Sequence, residues 1–240
     1  MGDDFRNHQV STTAEDRSSV IQVIRTYLAG AWYVPSDECE FGRSIAVGPP
    51  TLHIPFLRWP GINWIPFLHS PGTNWIAVLD STGTIDDDVD AFRSLTAELS
   101  RHWPTVDIEM SDSAALSLSL YNDGELLDEY RNLRPPFYLF SSEEEAARYR
   151  GKPDLWAKLF DDSNCADKLR ASWRQGRGSW ADAILSETAA ILGWHPYLCQ
   201  VGYTIDYDGC PVRYQEHYKD DQKALSGIEE LHFTIDRRHS

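Results

Sequence analysis

Apolar residues repeat at helical spacing early in the chain: Val20, Ile21, Ile24, Tyr27 and Leu28, with the pattern ending at Gly30. Spacing of three and four places them on one face, which predicts an amphipathic helix. Thr12-Thr13-Ala14-Glu15 reads as a capping box that opens it, and residues 1–10 read as a short lead. The Pro- and Gly-rich stretch 33–60 carries one strand, Arg43–Val47. Trp75–Leu79 is a continuous apolar run, the pattern of a buried strand. A helix is expected from Asp86 to His102, with Thr84 and Asp87 as its capping signal and Phe92, Leu95, Leu99 and Trp103 as its apolar stripe. Asp86, Asp87 and Asp88 in its first turn suit the positive end of the helix dipole.

Val106–Met110 then alternates apolar with acidic residues, and Leu116, Leu118 and Leu120 alternate with serines. Asn122-Asp123-Gly124 makes a tight turn and Leu126–Tyr130 returns, which predicts a hairpin. Helical stretches follow from Ser142, at Asp154–Phe160, and from Ser179 to the stop at Gly193. The last third reads as a meander: Leu198–Tyr207, Val212–Tyr218 and His232–Ile235. An internal echo pairs Pro60-Gly61-Ile62-Asn63-Trp64-Ile65 with Pro71-Gly72-Thr73-Asn74-Trp75-Ile76. It reads as two adjacent strands, or as a doubled aromatic platform in which Trp64 and Trp75 stand side by side. The expected class is α+β (mixed α/β), with a mixed, largely antiparallel sheet covered by three or four helices. One domain over 1–240 is preferred; a subdivision would fall between a βαβββ-containing unit, 1–134, and a helical segment plus meander, 135–240.

Charge changes the picture locally. Residues 80–130 hold thirteen acidic side chains against Arg93 and Arg101, and supply eleven of the fifteen net negative charges. Such a field attracts cationic partners and repels polyanions. Nucleic acid is disfavoured, since phosphate contacts need basic patches and the longest basic cluster is the sparse Arg170, Arg174, Arg177. That cluster reads as a solvated helix and loop surface. No stretch approaches the length of a membrane span, and the N-terminus lacks the apolar run of a signal peptide. A cytoplasmic location is therefore expected. The four cysteines form no CxxC pair and no two histidines stand at HxxH or HxxxH spacing, so no sequence-local zinc site is expected.

One segment carries candidate chemistry. The apolar strand running into Asp80-Ser81-Thr82-Gly83-Thr84 resembles the nucleophile loop of haloacid dehalogenase-like phosphatases and of P-type ATPases. The resemblance implies magnesium-dependent phosphoryl transfer. Asp80 would be the nucleophile, because its carboxylate attacks phosphorus, and magnesium would neutralise the phosphoryl oxygens. It places Ser111 where a Ser or Thr holds the phosphate, Asp162 and Asp167 as magnesium ligands, and Lys152 or Lys158 as the neutralising lysine. The same segment also reads as an ordinary strand-to-helix connection.

The leading expectation lies elsewhere: a non-enzymatic acidic protein, without a cofactor, that binds a cationic partner protein. A concrete form is an immunity-type protein that neutralises a basic toxin. The contact residues expected are Asp86, Asp87, Asp88 and Asp123, with Trp103, Tyr121 and Tyr130 as aromatic anchors.

Overall fold

The computed structural model describes residues 5–12, 16–36, 43–47, 74–81, 89–111, 114–132, 140, 142–161, 164–175, 180–194, 198–200, 204–205, 211–212 and 228–236. Eight strands form one sheet: β1 (Phe5–Thr12), β2 (Tyr33–Pro35), β3 (Arg43–Val47), β4 (Asn74–Asp80), β5 (Thr105–Ser111), β6 (Ala115–Asn122), β7 (Glu125–Arg131) and β10 (Glu229–Ile235). Their order is β2-β10-β3-β4-β1-β5-β6-β7, and every pairing among the described strands is antiparallel. The α+β class is thus observed, with an antiparallel rather than a mixed sheet.

Alternation along the strands makes two cores. Ile45, Val47, Ile76, Val78, Val10, Leu231 and Phe233 face one side, where α1 (Arg17–Gly30) lays down Val20, Ile21, Ile24 and Leu28 and α2 (Val89–Ser100) adds Leu95 and Leu99. Phe5, Trp75, Val106, Ile108, Leu116, Leu118 and Leu120 face the other. There α4 (Pro153–Leu159), α5 (Cys165–Gln175) and α6 (Ala181–Leu192) supply Trp156, Leu169, Trp173, Ile184 and Leu185. A short helix, α3 (Glu143–Arg148), is capped by the Ser142 side chain, which accepts from the Glu145 N–H at 3.1 Å.

The main departure from expectation is β1. Residues 1–10 read as a lead because Arg6, Asn7, His8 and Gln9 are polar, yet Asn7, His8, Gln9, Ser11 and Thr12 are buried between β4 and β5. The burial is offset by hydrogen bonds from three of these side chains. Asn7 donates to the Cys199 carbonyl at 3.1 Å, Gln9 donates to Asn7 Oδ1 at 2.9 Å, and His8 Nδ1 lies 3.0 Å from Thr96 Oγ1 on α2. Thr12 therefore ends a strand, and α1 opens after Asp16 instead.

The βαβββ order of β4, α2, β5, β6 and β7 is as expected, but β1 fills the gap between β4 and β5. The expected meander is seen in part, as a short hairpin and a last strand that does not join it among the described residues. A 3-10 turn occupies Leu198–Gln200, a separate two-stranded ribbon joins β8 (Thr204–Ile205) to β9 (Pro211–Val212), and β10 crosses to pair with β2 and β3. Of the internal echo, Trp64 lies outside the described residues. Trp75 plugs the core, edge-on to Phe160 at 4.9 Å and to Trp194 at 5.7 Å.

The outer strand β7 is guarded in two ways. The register slips between Leu120 and Tyr121, a bulge that breaks the regular ladder. Beyond it, the Arg131 N–H donates to the Tyr149 carbonyl at 2.9 Å, and the Lys152 N–H donates to Asp128 Oδ2 at 2.6 Å. Asp128 also accepts from the Trp156 indole at 2.8 Å, so a carboxylate buried in the second core is what ties the 149–156 segment to the sheet edge.

Because β1 pairs with both β4 and β5 and joins them in the sheet among the described strands, a chain starting at Thr13 should lose cooperative unfolding, not merely stability. Thermal melting followed by circular dichroism checks this; a sharp transition in the truncated chain would show that β1 is dispensable.

Candidate functional site

Asp80 ends β4 on the face covered by α1 and α2. Arg43, on the neighbouring strand, grips it with a fork: Nε donates to Oδ1 at 3.0 Å and Nη2 donates to Oδ2. The same guanidinium lies over the Tyr27 ring, 5.9 Å from its centroid, and His8 Nε2 stands 3.9 Å from Asp80 Oδ2. Arg43, Asp80, His8 and Thr96 are all buried. Burial by itself would raise the Asp80 pKa, but the Arg43 charge, the nearby His8 ring and the Arg43 hydrogen bonds overcome it and hold the carboxylate below its usual range. Burial lowers the His8 pKa, against the pull of Asp80, which favours a neutral imidazole.

The set implied by the phosphatase resemblance is not brought together. Both Asp80 oxygens are engaged by Arg43. Ser111 ends β5, exposed and two strands away from β4. Lys158 on α4 and Asp167 on α5 are exposed on helices that pack against the opposite face, and Asp167 accepts from Arg170 at 2.5 Å. Lys152 Nζ lies 3.8 Å from Asp128. Asp162 lies outside the described residues. The physical reason is topological. An open parallel sheet gathers loops at the carboxyl ends of its strands, whereas this antiparallel sheet scatters them. Among the described residues, no three or more His, Cys, Asp or Glu side chains are placed to hold a metal ion.

Of the partner-binding set, Trp103, Tyr121 and Asp123 gather at one end of the sheet. The Asp123 N–H donates to the Ser100 carbonyl at 2.8 Å and the Gly124 N–H donates to Ser100 Oγ at 3.0 Å. This staples the β6–β7 turn to the end of α2. Asp123 and Gly124 have φ of 55° and 82°, the pair of positive values that a tight hairpin turn of matching twist requires. Asp123, Glu125 and Leu126 are exposed and Trp103 is half-buried beside His102.

Tyr121 and Tyr130 are buried, which corrects their reading as surface anchors: both fall on inward-facing strand positions. Tyr130 points to the other face and stacks on Trp173, with centroids 4.5 Å apart and planes 15° apart. Asp86, Asp87 and Asp88 lie outside the described residues.

Two features were not read from the sequence. Asp107 on β5 is buried, and its Oδ1 has no hydrogen-bond partner among the described residues. Burial first, then the Glu109 charge, push its pKa up to about 8, so it holds a proton at neutral pH. Its neighbours across the same face are Ser119 and His8. The alternation of Val106–Met110 marked this face as wet; α2 covers it instead. The second feature is a cluster of arginines: Arg131 at the end of β7, Arg150 after α3, and Arg170 with Arg174 one turn apart on α5, all lining one pocket. The i, i+4 spacing of the last two is the only sequence signal for it.

Two substitutions test these environments. Asp80→Asn removes the negative charge that faces the buried Arg43 guanidinium and should cost about 3–5 kcal/mol, read as a large fall in melting temperature. The native carboxylate's contribution is present above its unfolded pKa and is lost as pH falls below it, so the difference from Asn should shrink in acid. Asp107 behaves in the opposite sense. Its folded pKa is raised, so the native state retains a proton that the unfolded chain releases between about pH 4 and about pH 8. Stability from this group therefore falls across that window. Asp107→Asn should melt close to wild type at the acid end of the window and higher than wild type at its alkaline end. A constant difference across the pH range would contradict the buried, protonated state.

Comparison with family models, with characterised proteins and with solved structures finds no match to this chain, so what these residues do is argued from their chemistry and placement.

Proposed function

We propose that this chain is a non-enzymatic cytoplasmic recognition protein that binds a cationic partner protein, with neutralisation of a basic toxin as one concrete form. The observation that carries the reading is the end of the sheet where the β6–β7 turn is stapled to α2. There two exposed carboxylates, Asp123 and Glu125, flank the exposed Leu126 (49% accessible) and stand near the half-buried Trp103. A rigid tip costs little ordering entropy on binding, and an apolar anchor among acids is the arrangement that gives both affinity and charge selection. The net charge of −15 supports fast encounter with a basic partner. No helix among the described residues is long and apolar enough to cross a membrane.

A peptide alternating lysine with leucine should bind this end with an affinity that falls steeply with added salt. It should shift the amide resonances of Asp123, Glu125 and Leu126. Asp123→Asn combined with Glu125→Gln should weaken it by roughly tenfold, while a peptide alternating glutamate with leucine should not bind. Shifts confined to other surfaces, or binding insensitive to the double substitution, would defeat the proposal.

A further inference from the structure

At the opposite end of β7 the charge reverses. A cavity of about 540 Å³ is lined by Tyr130, Arg131, Arg150, Gly151, Pro153, Arg170, Trp173 and Arg174. Its volume falls in the range of small-ligand pockets. Four arginines line it from three segments of the chain: Arg131 from the sheet edge, Arg150 from the turn after α3, and Arg170 and Arg174 from α5. Four arginines converging on one cavity is a marked local excess in a chain that carries fifteen net negative charges.

The geometry is built rather than incidental. Tyr130 and Trp173 are buried and stacked face to face, so their rings can offer the cavity only edges, the positive part of the aromatic quadrupole. Gly151 has φ of 69°, and a Cβ there would collide with the Trp173 ring. Glycine is therefore required for the 150–152 turn to close over that tryptophan and bring Arg150 to the rim. Arg131 is held in place by Tyr149, whose ring centroid lies 4.1 Å from the guanidinium carbon, and by Glu129, which accepts from Nε at 2.7 Å.

Glu129, beside Arg131, is largely buried, but the carboxylates beside Arg150 and Arg170 sit on the outside. Arg150 pairs with Glu143, and Arg170 pairs with Asp154 at 2.6 Å and Asp167 at 2.5 Å. Those three acids are 80%, 81% and 91% accessible. Solvent-exposed pairs are weak and exchange readily for a better anion. Arg174 has no carboxylate partner among the described residues and is exposed.

We propose that this cavity binds a small molecule carrying a di- or triphosphate group. A guanidinium fork suits either carboxylate or phosphate. The arrangement decides between them, because arginines carried by three separate segments suit an anion with oxygens on several sides. A linked phosphate group supplies them, and one planar carboxylate does not. The cavity is also larger than a phosphate chain alone, which leaves room for the group esterified to it against Pro153 and the aromatic edges.

The test is calorimetric titration of the intact chain with pyrophosphate, tripolyphosphate and citrate in parallel. Pyrophosphate should bind, tripolyphosphate more tightly, and citrate at least roughly tenfold more weakly than either. Arg174→Gln removes an exposed side chain that has no carboxylate partner among the described residues, so it should leave the melting temperature unchanged while weakening pyrophosphate by roughly tenfold. Glu143→Gln releases Arg150 and should tighten binding, a gain that damage to the fold would not produce. Arg101→Gln, at the hairpin end, should change nothing. Absence of pyrophosphate binding, equal binding by Arg174→Gln, or citrate binding as tightly as pyrophosphate would each overturn the assignment.

Discussion

The fold depends on burying a polar strand at its centre. β1 has neighbours on both edges and helices on both faces, so its buried polar groups depend on partners inside the protein. Its odd residues reach toward the face of α4–α6, where Asn7 holds the Cys199 carbonyl. Its even residues reach toward α1 and α2, where His8 meets Thr96 and lies beside the Arg43–Asp80 pair. The strand therefore fixes both helical layers relative to the sheet through bonds with strict distance and angle requirements. An apolar strand would provide burial energy without that positional control. The buried Arg43–Asp80 pair follows the same logic: its net stabilisation is modest because desolvation offsets attraction, but an imperfect register between β3 and β4 would leave two charges unpaired.

This constraint also explains which elements were legible in the sequence. Segments whose burial is one-sided announced themselves through periodicity: α1, α2, α6, the β5–β6–β7 series and the Asp123-Gly124 turn. β1 did not, because its inward residues are Asn, His, Gln, Ser and Thr, and polarity stands for exposure in any pattern-based reading. The satisfaction of those groups comes from Thr96 and from the Cys199 carbonyl, 88 and 192 residues away, and no local window contains them. The same blindness separated the arginines. Arg131, Arg150, Arg170 and Arg174 are scattered over forty-odd residues, and only the bridge between Tyr130 and Arg150 and the packing of α5 on β7 bring them to one cavity. Tyr130 and Tyr121 were legible as aromatic residues near acids, but not as core, since strand parity was needed to say which way each points.

The residues that the resemblance around Asp80 implies lie apart, among those described, for a related reason. Eleven residues of strand, aspartate and turn describe a local shape that many folds use. What makes such an aspartate nucleophilic is an open crevice and a second carboxylate delivered by another strand end. Here Arg43 arrives from β3 and His8 from β1, and both oxygens of the same carboxylate are engaged by the guanidinium.

The strand β7 separates two electrostatic environments. Its first half and the turn before it are acidic and exposed; its last residues enter the arginine cavity. A polyanion approaching from bulk meets a protein of strongly negative net charge, and at low ionic strength that long-range repulsion slows encounter. Only within a Debye length do the four guanidiniums dominate. Salt then acts in two opposed directions on the cavity, relieving repulsion at a distance and weakening the contact itself. At the acidic tip, attraction and contact have the same sign and salt weakens both. The two ends of one strand are thus distinguishable by the form of their salt dependence: monotonic for a cationic partner at Asp123 and Glu125, and flattened or peaked for an anion among Arg131, Arg150, Arg170 and Arg174.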